Sequence, residues 1–210
     1  MSKVQITKRY IDILGWINGL GFVNINHVAE RYRISTVTAY ARLRKLVQCR
    51  LLQHERLVHN EPGLYRVTRE GSDLSPISLP PIRQVALATY KHTQRITELS
   101  LKLAAHYSAQ FIPERILRSE LVHDGVGYRG HLSDGVLLLD DKKIAIEVEL
   151  TTKSKWRLQK IFHHYLRSFE YDEVWYFCSS QAVMNLIESV AKKYSLVKVF
   201  LLRDWVENTV

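Results

Sequence analysis

The chain has 210 residues, enough for one large domain or two small ones, each with its own core. Lys and Arg number 30 against 21 Asp and Glu, a net charge of +9, which points to a polyanionic partner, nucleic acid ahead of an anionic membrane. No apolar run approaches the roughly 20 residues of a membrane span, and the first residues lack the apolar core of a signal peptide. Cys49 and Cys178 lie far apart in apolar stretches, so they read as buried free thiols in a cytoplasmic protein with neither a disulfide framework nor a cysteine zinc site.

Residues 4–18 place Ile6, Tyr10, Ile13, Leu14 and Ile17 at helical spacing, and Gly19 and Gly21 are expected to stop that helix. Asn24 or Asn26 then caps a short helix with Val28, Ala29 and Tyr32. A turn at Arg33, Ile34 and Ser35 leads into a third helix from Thr36, with Ala39, Leu43, Leu46 and Val47 as its buried stripe. Strand-like runs at 51–58 and 64–68 flank the turn residues His59, Asn60, Glu61, Pro62 and Gly63, the pattern of a hairpin. Three helices followed by a hairpin predict a winged helix-turn-helix over residues 1–75. Its third helix would enter a DNA major groove. Arg33, Thr38, Tyr40, Arg42, Arg44 and Lys45 are the candidate DNA contacts, most of them phosphate contacts that position without specifying sequence. Arg50, Arg56 and Arg66 would extend them along the hairpin. The competing reading is a cationic helix in a winged helix used for protein contacts.

Pro76, Pro80 and Pro81, with interspersed Ser, mark a linker at 76–82. The second domain then runs over 83–210. A long helix at 83–107 carries His92, Ile96, Leu99, Leu103 and His106 on one stripe. Residues 116–122 read as a strand or a helix end. Strands at 135–139 and 144–150 flank an Asp140-Asp141-Lys142-Lys143 turn. A helix at 154–169, a strand at 173–178, a helix at 182–194 and a strand at 197–202 follow. That order predicts an α/β domain with a mixed sheet and helices on its faces, α+β for the whole chain.

Asp134 opens one of the paired strands, and Glu147 and Glu149 share one face of the next because strand side chains alternate. Carboxylates so placed repel unless a divalent cation such as Mg²⁺ or Mn²⁺ lies between them, an ion that can activate a phosphodiester for hydrolysis. Lys153 follows within four residues and is suited to developing negative charge. The helix after it sets Arg157, Lys160, His164 and Arg167 on a basic ridge, opposite Leu158, Ile161, Phe162, Tyr165 and Phe169. The competing reading is an edge strand with solvated acids. His163 and His164 straddle two faces and read as surface or DNA-facing groups. His92, His106 and His123 lack metal-ligand spacing. Tyr165, Trp156 and Trp175 read as core.

Asp134-Gly135 followed by Glu147-Val148-Glu149-Leu150-Thr151-Thr152-Lys153 resembles the PD-(D/E)XK restriction-endonuclease superfamily. The resemblance is closest to its replication-relaxation branch, with MobC-type plasmid mobilisation relaxases as relatives. That branch also joins a winged helix to this nuclease fold. Residues 65–71 at the wing, His92, and Glu114 with Arg115 fit the same pattern. The resemblance implies Asp134 and Glu147 as metal ligands, Glu149 as ligand or base, Lys153 as a displaced catalytic lysine and Glu114 as a supporting acid. Ser133 stands where the motif has proline, and Glu149 where it has lysine, so activity rests on Lys153. The function implied is metal-dependent nicking of double-stranded DNA at a mobile-element site, with a nicked or single strand at the second domain and other relaxosome proteins as partners. The alternative is a regulator or relaxosome accessory protein with a degenerate nuclease fold.

Overall fold

The structure, a computed structural model, describes residues 6–123 and 130–207, the side chains of Val122 and His123 excepted. The chain divides into two compact units, 1–97 and 98–210.

In the first unit, α1 (Lys8–Leu20), α2 (Ile25–Tyr32) and α3 (Thr36–Gln48) pack on a three-stranded antiparallel sheet of β1 (Val23–Asn24), β2 (Leu52–Glu55) and β3 (Leu64–Val67), in the order β1-β3-β2. Gly19 lies inside α1. The stop is Gly21, whose φ of 91° is open to glycine at little cost. Asn24 is the cap of α2: its side chain accepts from the His27 backbone N–H at 3.1 Å, and the Asn24 N–H reaches back to the His27 ring. Ser35 caps α3 by accepting from the Thr38 N–H at 3.2 Å. Ile13, Leu14, Ile17, Val28, Ala39, Leu43 and Leu46 form the core with Leu52, Tyr65 and Val67 from the strands. The short β1 was not foreseen, because two residues carry no readable alternation.

The proline-rich stretch packs on this unit. The Asn18 amide donates to the carbonyls of Ile77 at 3.2 Å and Leu79 at 3.0 Å. Thr68 caps α4 (Arg69–Asp73), in which a Cβ on Gly71 would overlap the Leu51 carbonyl oxygen. Arg66 is spent internally, donating to Glu55 at 2.9 Å and to the Ile82 carbonyl at 2.8 Å, so it does not extend a surface footprint. Helix α5 (Leu87–Tyr107) crosses the division between the units, and in the first of them Tyr90 stacks on Phe22.

The second unit holds β4 (Gln110–Pro113), α6 (Glu114–His123), β5 (Gly135–Leu139), β6 (Lys142–Glu149), α7 (Lys155–Ser168), β7 (Glu173–Cys178), α8 (Gln181–Ala191), β8 (Val197–Leu201) and α9 (Arg203–Val206). The five-stranded sheet runs β4-β5-β6-β7-β8, antiparallel through β6 and parallel from β6 to β8, so it is mixed. Residues 116–122 resolve as helix, and the edge strand β4 is an addition to the expected set. On one face of the sheet Leu158, Ile161, Phe162 and Tyr165 of α7 join Val183, Ile187 and Val190 of α8 over Ala145, Val174 and Tyr176. Their spacing in α7, at i, i+3, i+4 and i+7, is that of one helix face, and each apolar side chain so buried contributes about 1.5–3 kcal/mol. Phe169, expected on that stripe, is instead the left-handed C-cap residue and is 91% exposed. Trp175 and Phe177 face the other side, toward Tyr107 and Trp205.

Glu173, at the start of β7, ties three strands together by pairing with Lys142 at 2.9 Å and Lys198 at 2.7 Å and accepting from the Trp175 indole at 2.6 Å. Burial raises its carboxyl, but Lys198, Lys142 and Trp175 together outweigh that and draw it down to about 2. A folded-state value below the ordinary 4.5 contributes stability above 4.5 that is lost as pH falls through about 2. Glu173→Gln is therefore expected to lower Tm at pH 7 by about 2–4 °C. The gap should close as unfolding is followed by circular dichroism from pH 5 downward. A gap independent of pH would show that the ion pairs do not carry it.

Candidate functional site

Strand β6 runs between β5 and β7, with α7 and α8 packed over the face that carries Ala145, and residues 144–149 are buried on both faces. Ile144, Ile146 and Val148 occupy one face. Glu147 and Glu149 occupy the other and are 3% and 4% exposed. Burying a carboxylate costs several kcal/mol unless it is partnered, and each has a partner. Glu147 shares its Oε1 between His131 Nε2 at 2.5 Å and the Tyr165 hydroxyl. Glu149 pairs with Lys153, four residues along in the loop after β6. Asp134, just before β5, accepts from the Val148 N–H at 2.8 Å, which fixes its carboxylate against β6. Burial, opposed by the His131 hydrogen bond and reinforced by the Asp134 charge, holds the Glu147 carboxyl above its usual range.

Tyr176 faces Glu147 across the parallel β6–β7 pair. Burial and then the charges of Glu147, Glu149 and Asp134 push its phenol well up. Its hydroxyl is buried without a hydrogen-bond partner among the described residues, as is the Ser133 hydroxyl. An orphaned hydroxyl among carboxylates is a costly feature that packing alone does not explain. Burial, with Glu149 and Glu188 nearby, raises the Cys178 thiol to about 12, so it is not a poised nucleophile.

Among the described residues, no group of three or more His, Cys, Asp or Glu stands as it could hold a metal ion. Comparison with protein-family models, with characterised proteins and with solved structures finds no match to this chain.

The structure thus brings Asp134, Glu147, Glu149 and Lys153 together and adds His131, Tyr165 and Tyr176. It does not bring in the Glu114 carboxylate, which pairs with Arg118; only the Glu114 backbone meets Asp134, its N–H donating to the Asp134 carbonyl at 3.1 Å. Nor does it put the basic ridge beside the acids. Tyr165 reaches Glu147 from the buried face of α7, whereas Lys160 and Arg167 project from the opposite side of that helix. His163 is exposed and bonded to the Tyr194 hydroxyl at 2.7 Å, and the His123 side chain lies outside the described residues. Tyr165 was legible only as core, since helical spacing reports burial and not where a hydroxyl ends. His131 lies three residues before Asp134 on no readable element, so nothing in the sequence singled it out.

In the first unit, the exposed side of α3 presents Val37, Tyr40, Arg44 and Lys45, with Thr38 and Arg42 half-buried at its flanks. Arg33 is the exposed, left-handed residue closing α2. Among the described residues Arg44 and Lys45 form no ion pair, and α3 itself carries no Asp or Glu.

Proposed function

We propose that the chain is a DNA-binding protein whose first unit docks duplex DNA as a winged helix-turn-helix and whose second unit, a restriction-endonuclease-like fold, nicks one strand at a metal-assisted site. The observation carrying the second part is the burial of Glu147 and Glu149 on one face of β6, with the Tyr176 hydroxyl beside them unpartnered among the described residues. Burying carboxylates is costly, and buried carboxylates with shifted pKa values cluster at functional sites. The acids lie at the carboxyl end of β6, where open sheets with parallel strands place their ligands.

The residue types suit Mg²⁺ or Mn²⁺, although as they stand the three acids do not converge on one point. Carboxylate oxygens suit hard cations, and the Asp134 charge already weighs on Glu147. Asp134, Glu147 and Glu149 would hold the ion, which supplies Lewis acidity toward a phosphodiester oxygen. The chain's own residues do the rest. The Tyr165 hydroxyl and His131 orient Glu147, and the Val148 N–H fixes Asp134. Lys153, released from Glu149, offers its ammonium to the phosphate. For the first part, the support is a carboxylate-free α3 with exposed Arg44 and Lys45.

The separate pairing of each acid favours a second reading, a DNA-binding accessory protein in which those pairs are permanent. Mn²⁺ calorimetry with relaxation of a supercoiled plasmid tests the two. Metal binding with nicking supports the first. Neither, on DNA still bound in a salt-dependent way, supports the second.

A further inference from the structure

Trp156 was expected in the core, but it stands in the first turn of α7 with 65% of its surface exposed. The buried face of the helix is already filled by Leu158, Ile161, Phe162 and Tyr165, which leaves the indole on the outer side. Lys160 Nζ lies 4.5 Å from the ring centroid, a cation–π contact that orders the ring. Gln159, Lys160, His163, His164 and Arg167 continue from it along a shallow cleft of about 520 Å³. Trp156, Lys160, His163 and Arg167 fall at i, i+4, i+7 and i+11, a single straight stripe about 16 Å long. Helix α7 contains no Asp or Glu, and among the described residues Lys160 and Arg167 form no ion pair.

We propose that this stripe is a single-stranded DNA platform, with Trp156 stacking on an unpaired base while Lys160 and Arg167 follow the phosphates. An exposed indole has no access to a base face inside a duplex, since those faces are stacked on one another. Unpaired bases offer them, and an aromatic group with cations along a groove is how sequence-tolerant strand binding is built. The proposal rests on the DNA-binding reading and assigns the outer side of α7 to the displaced or nicked strand, away from the carboxylates on the inner side.

The test is fluorescence anisotropy with a labelled oligothymidylate of about 20 nucleotides and with a duplex of equal length, at one fixed salt concentration. Trp156→Ala is expected to weaken oligothymidylate binding about tenfold and to leave the duplex affinity unchanged, with Trp156→Phe recovering most of the loss. Trp fluorescence quenched by the oligomer in the wild type should lose most of its amplitude in Trp156→Phe. An oligothymidylate affinity unchanged in Trp156→Ala overturns the proposal, even if the wild type nicks plasmid. Trp156-dependent strand binding by a protein that does not nick upholds it and removes only the cleavage reading. The residue is exposed, so the variant should fold, and equal far-ultraviolet dichroism confirms that it has.

Discussion

Glu147→Ala is expected to abolish Mn²⁺ binding by calorimetry and to lower plasmid nicking by more than about 100-fold, since loss of a ligand should exceed the 10–100-fold typical of a supporting residue. Alanine also removes the acceptor of the buried Tyr165 hydroxyl, so that variant alone does not separate lost chemistry from lost fold. Glu147→Gln does. Its amide oxygen can still accept from Tyr165, while the charge is gone. The Glu147 carboxyl is held above its usual range by burial, with His131 opposing. Relative to the unfolded chain, the folded state therefore favours the protonated acid. That preference contributes stability below the unfolded value and loses it as pH rises through the folded one. At pH 8 Glu147→Gln should accordingly be at least as stable as the wild type and still fail to bind Mn²⁺. Retention of full metal binding by Glu147→Gln would remove this residue, and with it the proposed centre.

Neutralising Arg44 and Lys45 together carries the second large effect. Both are exposed on α3, and neither is tied to a carboxylate among the described residues. Their replacement by alanine should leave the core intact, because Ala39, Leu43 and Leu46 hold the helix down. If each neutralises one phosphate, the slope of log affinity against log salt should fall by about 2, with duplex affinity reduced roughly tenfold or more at low salt. Isothermal or anisotropy titrations at three or four salt concentrations give both quantities. Unchanged affinity and slope would mean that α3 is not a DNA reader, and would favour a protein-contact role for the first unit.

Much of this architecture was legible because its signals are local. Asn24, one of the two asparagines expected to cap the second helix, is its cap, and the helices expected from Thr36 and Ser154 begin there, each capped by a serine that accepts a backbone N–H. The alternation through Ile144, Ile146 and Val148 placed Glu147 and Glu149 on one face, and both are there, buried more deeply than alternation alone can say. The misses are of two kinds. Residues 110–113 and 23–24 form strands whose identity comes from their partners β5 and β3, and so leave little trace in their own sequence. Trp156 was assigned to the core by residue type and Phe169 to the apolar stripe by spacing, yet the one lies on the outer side of α7 and the other beyond its end. Of the expected ridge of Arg157, Lys160, His164 and Arg167, the arginines and Lys160 are exposed and His164 is half-buried. Which side faces the acids depends on Tyr165 reaching Glu147, a long-range contact that no helical spacing encodes.

The anchoring of Asn18 to Ile77 and Leu79 bears on where the chain can be divided. Pro76 lies over Gly15, where even a methyl group would be crowded, and Tyr90 covers Phe22. A polypeptide cut after residue 75 would leave a fully buried amide without either acceptor and would bare the back of α1. The prolines that look like a hinge act as a clasp. The shortest autonomous piece of the first unit therefore extends beyond Tyr90, and dissection of the two units should begin from that longer fragment.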